Sequence, residues 1–177
     1  LFIDLSQNEA LFAKYKALKA SDAFNELSPV RRRIVERELR DFRLSGAELP
    51  EAERARVKAV GEKLSMLNQK FSENLLDATN AWDLTITDEQ RLSGIPEDAK
   101  ALFAANAKAA GKDGWRITLH FPSYLPVMQY ADDRSLRETL YRAFSTRASE
   151  FDGGKYDNTP LIDEILKLRR EEASLLG

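Results

Sequence analysis

The side chains most often used in metal binding and acid–base catalysis are scarce in this 177-residue sequence. It has one histidine, His120, and no cysteine. A zinc hydrolase of the His-Glu-x-x-His type needs two imidazoles one helical turn apart, with the adjacent glutamate as general base. Thiolate zinc sites and disulfide frameworks need cysteines. We interpret His120 as an ordinary residue on the polar face of a strand; the alternative is a catalytic or ligand role.

Two other stretches contain parts of catalytic motifs but lack the residues that the chemistry requires. A P-loop needs a glycine five residues before its Gly-Lys pair and a serine or threonine after the lysine. Around "DGGKYDN" these places hold Ser149 and Tyr156, and we predict a loop there. Ser93 in "RLSGIP" lacks the flanking glycines of a nucleophile elbow. With a single histidine, the sequence offers few ways to build a Ser-His-Asp triad.

Two pairs of adjacent acids, Asp132-Asp133 and Glu171-Glu172, could serve in principle as acid–base dyads. Neighbouring side chains on a helix point apart, so this spacing does not create a dyad. We expect Asp132-Asp133 to cap the following helix. Spacing alone therefore indicates no active site, although it leaves open a carboxylate-only metal site assembled from distant parts of the chain.

The charge distribution argues against a nucleic-acid partner. The sequence has 27 Lys and Arg against 29 Asp and Glu, a net charge of −2, so no bulk positive field is available. Three consecutive arginines, 31 to 33, precede acids and bases spaced by four, such as Glu36 and Arg40. This spacing is typical of a solvated helix face with ion pairs. An RNA-binding helical domain remains as a weak alternative.

Composition indicates a soluble globular protein with no membrane partner. Apolar residues make up 43% and charged residues 32%, and we find no apolar run of the roughly 20 residues that span a bilayer. The first 20 residues carry charges of both signs throughout and do not resemble a signal peptide. The absence of cysteine fits a reducing compartment. Because the first residue is Leu1 rather than Met, we expect an excised segment.

Apolar residues recurring every three or four positions predict a mostly helical chain. In the second helix, capped by Ser28, we expect five residues to face inward: Val30, Ile34, Val35, Leu39 and Phe42. In the last helix, Thr159 is the predicted N-cap and Pro160 the first residue. The helices are predicted near 8–20, 28–46, 50–80, 97–111, 133–149 and 159–177.

Alternation of apolar and polar residues predicts two strands, at about 82–87 and 115–121. Two isolated strands are marginal alone, so we expect them to pair and lie on helices. The following "FPSYLPV" is predicted to form turns. The predicted fold class is mainly α, with long antiparallel helices and one small two-stranded β element, and residues 1–177 are expected to form one helical region.

Several blocks in order resemble the thimet-oligopeptidase family of zinc metallopeptidases. "FSENLLDATNAWDLTITDEQRLSGIPEDA" resembles that family's long helix, strand, acidic turn and Gly-Ile-Pro. The next two blocks are "GWRITLHFPSYLPVMQYADDRSLRETLYRAFSTRASE" and "DNTPLIDEILKLRREEASLLG". "LRDFRLSGAELPEAERARVKAV" fits as well. The matching residues in the later blocks include Trp115, Thr118, Leu119, Pro122, Ser123, Tyr124, Pro126, Arg137, Arg142, Arg147, Asp157, Asn158, Ile165, Leu168, Arg169, Glu172 and Ala173.

The resemblance implies a parent that is a two-lobed helical enzyme of the cytoplasm, with a deep channel that admits short peptides. In that family one zinc, held by a His-Glu-x-x-His helix and a downstream glutamate, activates water, and the motif glutamate takes its proton. These residues have no counterpart here, so the resemblance implies no catalytic, cofactor-binding or metal-binding residue in residues 1–177. The chain would form part of the channel wall in the amino-terminal lobe.

The last helix has a wide apolar face that requires a partner surface. The resemblance implies that this partner is the catalytic lobe, which is missing from the chain. We therefore predict an inactive fragment whose exposed apolar face favours self-association. The alternative is a freestanding helical interaction module without enzymatic activity, and the coding sequence around the segment would separate the two.

Overall fold

The computed structural model describes residues 8–177, apart from the side chain of Asp152; the expectation drawn from Leu1 lies outside this range. The described residues form eight α-helices and one two-stranded sheet, which confirms the predicted fold class. Short 3-10 turns cover Glu89–Leu92 and Glu150–Asp152. The elements are α1 Glu9–Lys19, α2 Asp22–Glu26, α3 Pro29–Leu44, α4 Glu51–Ala81, β1 Asp83–Ile86, α5 Glu97–Ala109, β2 Trp115–Thr118, α6 Phe121–Tyr130, α7 Arg134–Thr146 and α8 Thr159–Leu176.

The chain divides into two compact units, one of residues 1–68 with 163–177 and the other of residues 69–162. We call them the first and second unit. No helix in residues 8–177 combines the length and apolar character needed to cross a bilayer. That residues 1–177 form one region within a single lobe of a larger peptidase stays a prediction.

In the first unit, polar side chains cap α1 and α3, and the cap of α3 is the predicted one. The side chain of Asn8 accepts a hydrogen bond from the backbone N–H of Leu11 at 3.0 Å, and Ser28 caps α3 ahead of Pro29. The rings of Phe12 and Phe42 lie 5.2 Å apart. The buried core comprises Phe12, Phe24, Val35, Leu39, Phe42 and Ala47.

The prediction that Val30 and Ile34 face inward on α3 is wrong. Their side chains are 70% and 52% exposed, whereas Val35 and Leu39 are buried. At 3.6 residues per turn, Val30 and Ile34 lie about 140° and 100° around the helix from Val35. The buried stripe is therefore narrower than the apolar pattern suggested.

In the second unit, β1 and β2 pair as predicted, and the pairing is antiparallel, with Asp83 opposite Thr118. Lys112 at 2.5 Å and Arg116 at 3.1 Å hold the carboxylate of Asp83. These contacts, with the Lys112 hydrogen bond first, lower the pKa of Asp83. The buried core comprises Ile86, Leu92, Ile95, Ala99, Phe103, Ile117, Val127, Ala131, Leu136 and Leu140.

The prediction that "FPSYLPV" forms turns is wrong, because these residues begin α6. Pro122 stands at the start of the helix, where its missing N–H has no helical acceptor to lose. The hydroxyl of Ser123 accepts a hydrogen bond from the backbone N–H of Thr118 at 2.9 Å, which fixes the helix to the end of β2. Val127 is completely buried. The packing of this helix into the core thus outweighs the helix-breaking effect of Pro126 in its interior.

The last helix begins one residue earlier than predicted, at the residue expected to be its cap. Thr159 is its first residue, and its hydroxyl donates to the carboxylate of Glu150 at 2.9 Å instead of capping the helix. On α8, Ile165 and Leu168 are buried, while Ile162 and Leu166 are 43% and 58% exposed. The apolar face of α8 is therefore partly exposed to solvent.

Candidate functional site

His120 is exposed and lies just beyond the strand in which the alternation places it. Strand β2 ends at Thr118, and His120 occupies the N-cap position of α6. Its backbone carbonyl accepts hydrogen bonds from the N–H groups of Ser123 and Tyr124, both at 2.9 Å. The predicted placement on a strand is wrong, since the helix begins earlier than the alternation indicated. These backbone hydrogen bonds are local contacts at the start of α6, and the interpretation of His120 as an ordinary residue stays a prediction.

Asp133 caps α7, as predicted. Its carboxylate accepts hydrogen bonds from the N–H groups of Ser135 and Leu136 and lies 2.9 Å from Nε of Arg91. The Ser135 contact is the largest cause that lowers the pKa of Asp133, to about 2, with Arg91 and the Leu136 N–H adding to it. Asp132 instead accepts the Ser93 hydroxyl at 2.7 Å. The adjacent acids thus have separate structural partners.

Glu171 on α8 pairs with Arg56 on α4. Nη2 of Arg56 donates to Glu171 Oε2 at 2.8 Å, and this hydrogen-bonded pairing lowers the pKa of Glu171 and raises that of Arg56. A general acid would need a raised pKa instead. Across residues 8–177 no three His, Cys, Asp or Glu side chains are grouped to hold a metal ion. The Gly-Gly-Lys segment lies in a loop after Glu150–Asp152, as predicted.

The arginine run lies on α3, where Arg31 and Arg33 are exposed. The acids on this helix pair differently from the predicted spacing: Glu36 lies 3.4 Å from Lys19, and Asp41 lies 2.7 Å from Arg40. These are exposed pairs of small energetic value. The helix carries mixed charges, as the sequence predicted.

A cleft of about 1060 Å³ in the second unit is the best candidate for a binding site. It lies between the end of α4, helix α7 and the segment that follows α7. Trp82, Phe151 and Tyr156 supply aromatic surface, and Phe151 is 75% exposed. Among the described side chains, the charged ones on its walls are Glu138, Arg142 and Arg147.

Arg147 has the most unusual surroundings on these walls. Its guanidinium lies 3.5 Å from the centroid of the Phe144 ring, which stacks on Tyr124 at 4.2 Å. One terminal nitrogen donates to the Phe144 carbonyl oxygen, while the buried Nε has no hydrogen-bond partner among the described residues. Burial lowers the pKa of Arg147. Its charge is therefore only partly compensated.

The segment after Arg147 is fixed by a buried pair of amides. Nδ2 of Asn74 on α4 donates to Oδ1 of Asn158 at 2.9 Å, and Nδ2 of Asn158 donates to the Phe71 carbonyl oxygen at 3.1 Å. The backbone N–H of Asn158 donates to the carbonyl oxygen of Ala148, a non-glycine residue at φ 54°. These bonds hold the turn that carries Arg147 to the cleft wall.

The sequence patterns identify none of the residues that line the cleft as part of a functional site. The alternation places Trp82 in a strand, and Arg147 appears only among the matching residues of the resemblance. The cleft is assembled from segments about 60 residues apart, and no local spacing reveals such a surface. The sequence feature that could have indicated the cleft is the pair Arg142 and Arg147, which lie close to aromatic residues in the chain.

Two protein-family models match parts of the chain. The model described as the N-terminal domain of neurolysin and thimet oligopeptidase matches residues 1–54, and that of peptidase family M3 matches residues 127–177. These matches lie at the two ends of the sequence.

Known relatives match along almost its whole length. Oligopeptidase A of Salmonella typhimurium is 45% identical and that of Escherichia coli 44%, each over 98% of this chain and 26% of the relative. A probable cytosolic oligopeptidase A of Arabidopsis thaliana is 43% identical, over 98% of this chain and 25% of its own. The chain spans about a quarter of the length of these relatives. It therefore belongs to peptidase family M3, as the resemblance predicted.

Proposed function

We propose that this chain is part of a metallopeptidase that hydrolyses short peptides. The observation that carries the proposal is the identity of 42–45% to oligopeptidase A proteins over 98% of the chain. The names of these relatives describe peptidases that act on oligopeptides. The activity belongs to a protein about four times as long, so we assign it to the whole protein.

In this proposal zinc is bound by residues outside the 177-residue chain, and the chain itself is inactive. The sequence has one histidine and no cysteine, and residues 8–177 contain no cluster of metal-ligating side chains. These residues do not fit a catalytic zinc site, which usually has three protein ligands. We therefore assign no step of the hydrolysis to them.

The proposed role of the chain is structural: it forms part of the wall of the substrate channel, with the catalytic lobe as its partner. Exposed apolar side chains such as Val30, Met66, Phe121 and Leu166 support a covering partner. We also propose a cytoplasmic location, supported by the similarity to a probable cytosolic oligopeptidase A of Arabidopsis thaliana.

The coding DNA beyond the codon for Gly177 tests the proposal first. We expect an open reading frame with a His-Glu-x-x-His motif and a later glutamate. The longer protein, once expressed, should cleave a quenched fluorescent peptide, and a chelator should abolish the cleavage. The 177-residue chain assayed at equal concentration should give no cleavage above the buffer control.

Two results would contradict this proposal. A stop codon directly after Gly177 would favour a freestanding helical interaction module. Chelator-sensitive cleavage by the 177-residue chain alone would show that it contains an active site. The matched control is a variant of the longer protein in which the glutamate of the His-Glu-x-x-His motif is replaced, because that variant retains the fold and the zinc ligands.

A further inference from the structure

We propose that the cleft beside Arg147 binds the C-terminal carboxylate of a short peptide whose last residue is aromatic or large and apolar. The inference goes beyond the proposed hydrolysis, because it concerns reversible binding by residues of the second unit alone. It needs neither zinc nor the remainder of a longer protein. It can therefore fail or succeed independently of the proposed function.

The first argument is the incompletely paired charge of Arg147. A guanidinium has five N–H donors, and here Nε is buried without a partner while one terminal nitrogen donates to the Phe144 carbonyl. The flat face is covered by the Phe144 ring at 3.5 Å. Partial removal from water strengthens the attraction of this group for an anion. A carboxylate matches the planar fork of N–H donors that a guanidinium presents.

The second argument concerns the charge of the anion. Arg142 lies 3.5 Å from the carboxylate of Glu138, so these two charges compensate each other on the same helix. Among the side chains that the structure describes, the three charged ones of the cleft have a net charge of +1. Glu138 would repel a dianion more strongly than a monoanion. The charge of the cleft therefore suits a single carboxylate better than a phosphate group.

The third argument is the apolar surface beside this charge. Trp82, Phe151 and Tyr156 line the same cleft as Arg147, and Phe151 is 75% exposed. An α-carboxylate stands next to its own side chain, so an aromatic or large apolar terminal residue presents both features together. Burying such a side chain against exposed rings supplies affinity, and the carboxylate supplies orientation.

The two tryptophans of the chain provide a direct binding test by NMR. Both tryptophans pack against the core of the second unit, but of the two only Trp82 also lines the cleft; Trp115 lies on β2. In the ¹⁵N-labelled full chain we would titrate N-acetylphenylalanine and follow both indole N–H signals, assigned with a Trp115→Phe variant. The Trp82 signal should shift, with a Kd of about 1 mM for so small a probe, and the Trp115 signal should not.

Three further probes test which features of the ligand the cleft recognises. N-acetylphenylalaninamide lacks the carboxylate, N-acetylaspartic acid amide carries it on a side chain, and inorganic phosphate tests a general anion site. We expect each to bind at least about tenfold more weakly than N-acetylphenylalanine, because each lacks one of the two paired features. Equal binding of the amide, or tighter binding of phosphate, would overturn the proposal.

Substitutions then assign the binding to Arg147. Arg147→Gln should weaken binding of N-acetylphenylalanine by about tenfold or more, because the carboxylate loses its charged donor. Arg40→Gln removes the same charge from α3, outside the cleft, and should leave binding unchanged. Unchanged binding by folded Arg147→Gln would refute the assignment. If that variant fails to fold, the acid and amide comparison on the unmodified chain still decides.

Discussion

At the scale of single residues, an ionised side chain can cap a helix and form an ion pair at the same time. Asp133 is the clearest case, since its carboxylate caps α7 and pairs with Arg91 at 2.9 Å. Its pKa of about 2 lies below the ordinary value of 3.8. A lowered folded-state pKa means that ionised Asp133 stabilises the fold above about pH 4, and that this stabilisation is lost as the pH falls toward 2.

We predict that Asp133→Ala lowers the free energy of unfolding by about 1–2 kcal/mol at pH 7, because α7 loses its cap and Arg91 its partner. Asp133→Asn keeps a capping oxygen and should lose less. Urea unfolding followed by tryptophan fluorescence measures the effect, since Trp82 and Trp115 both lie in the second unit. The deficit of the alanine variant should shrink at pH 2; an equal deficit at both pH values would contradict the assigned pKa.

A second residue-scale prediction concerns Gly94, in the turn between Leu92 and α5. Its φ is +83°, and a Cβ there would lie 2.2 Å from the Tyr130 carbonyl oxygen. Gly94→Ala should therefore lower the free energy of unfolding by more than about 2 kcal/mol. Gly111→Ala is the control, because φ is +66° there with no atom within 4 Å; it should cost about 1 kcal/mol. Equal thermal unfolding midpoints for the two variants would contradict the predicted close approach.

At the scale of elements, irregular segments are held to helices by buried polar contacts. In the segment from Arg147 to Asn158, Phe151 is 75% exposed, whereas Asn158 is only 2% exposed. Its amide bonds to Asn74 and to the Phe71 carbonyl replace the hydrogen bonds that water would supply. The position of this segment, and of Arg147 with it, depends on these bonds.

We predict that Asn74→Ala lowers the free energy of unfolding of the second unit by about 1–3 kcal/mol, because the buried Oδ1 of Asn158 loses its donor. Asn80→Ala, at an exposed position on the same helix, should change it by less than about 0.5 kcal/mol. Chemical unfolding monitored by tryptophan fluorescence gives both values. Similar losses for the two variants would show that the buried amide bond contributes little.

At the scale of the whole molecule, apolar surface remains exposed on several helices. On α8, Ile162 and Leu166 stand one turn apart and are 43% and 58% exposed. Large exposed apolar residues at neighbouring positions are typical of surfaces that contact a partner. This surface supports both the proposed covering lobe and the predicted self-association.

We therefore expect the molar mass of the chain, measured by light scattering, to rise above the monomer value as concentration increases. Leu166→Glu should reduce this rise, because burying a carboxylate in an apolar contact is unfavourable. Ser174→Glu adds the same charge at an exposed polar position of α8 and should have a smaller effect. A monomer mass at high concentration for the unmodified chain would refute self-association.

The sequence by itself determined the helices and strands whose signals are local. Caps such as Ser28 with Pro29 and Asp133, and the alternation that begins at Trp82 and Trp115, are set by neighbouring residues, and the structure confirms them. The ordered blocks also determined the family, because they are properties of sequence alone.

Only the tertiary structure decided which apolar residues are covered and where the cleft lies. Val30 and Ile34 fit an apolar pattern but remain exposed, and the turn-rich "FPSYLPV" forms α6 because Val127 and Ser123 pack into the second unit. The cleft of Arg147 joins Trp82 to residues about 60 positions later. Burial and cleft formation depend on contacts between distant segments, and those contacts carry no local periodicity.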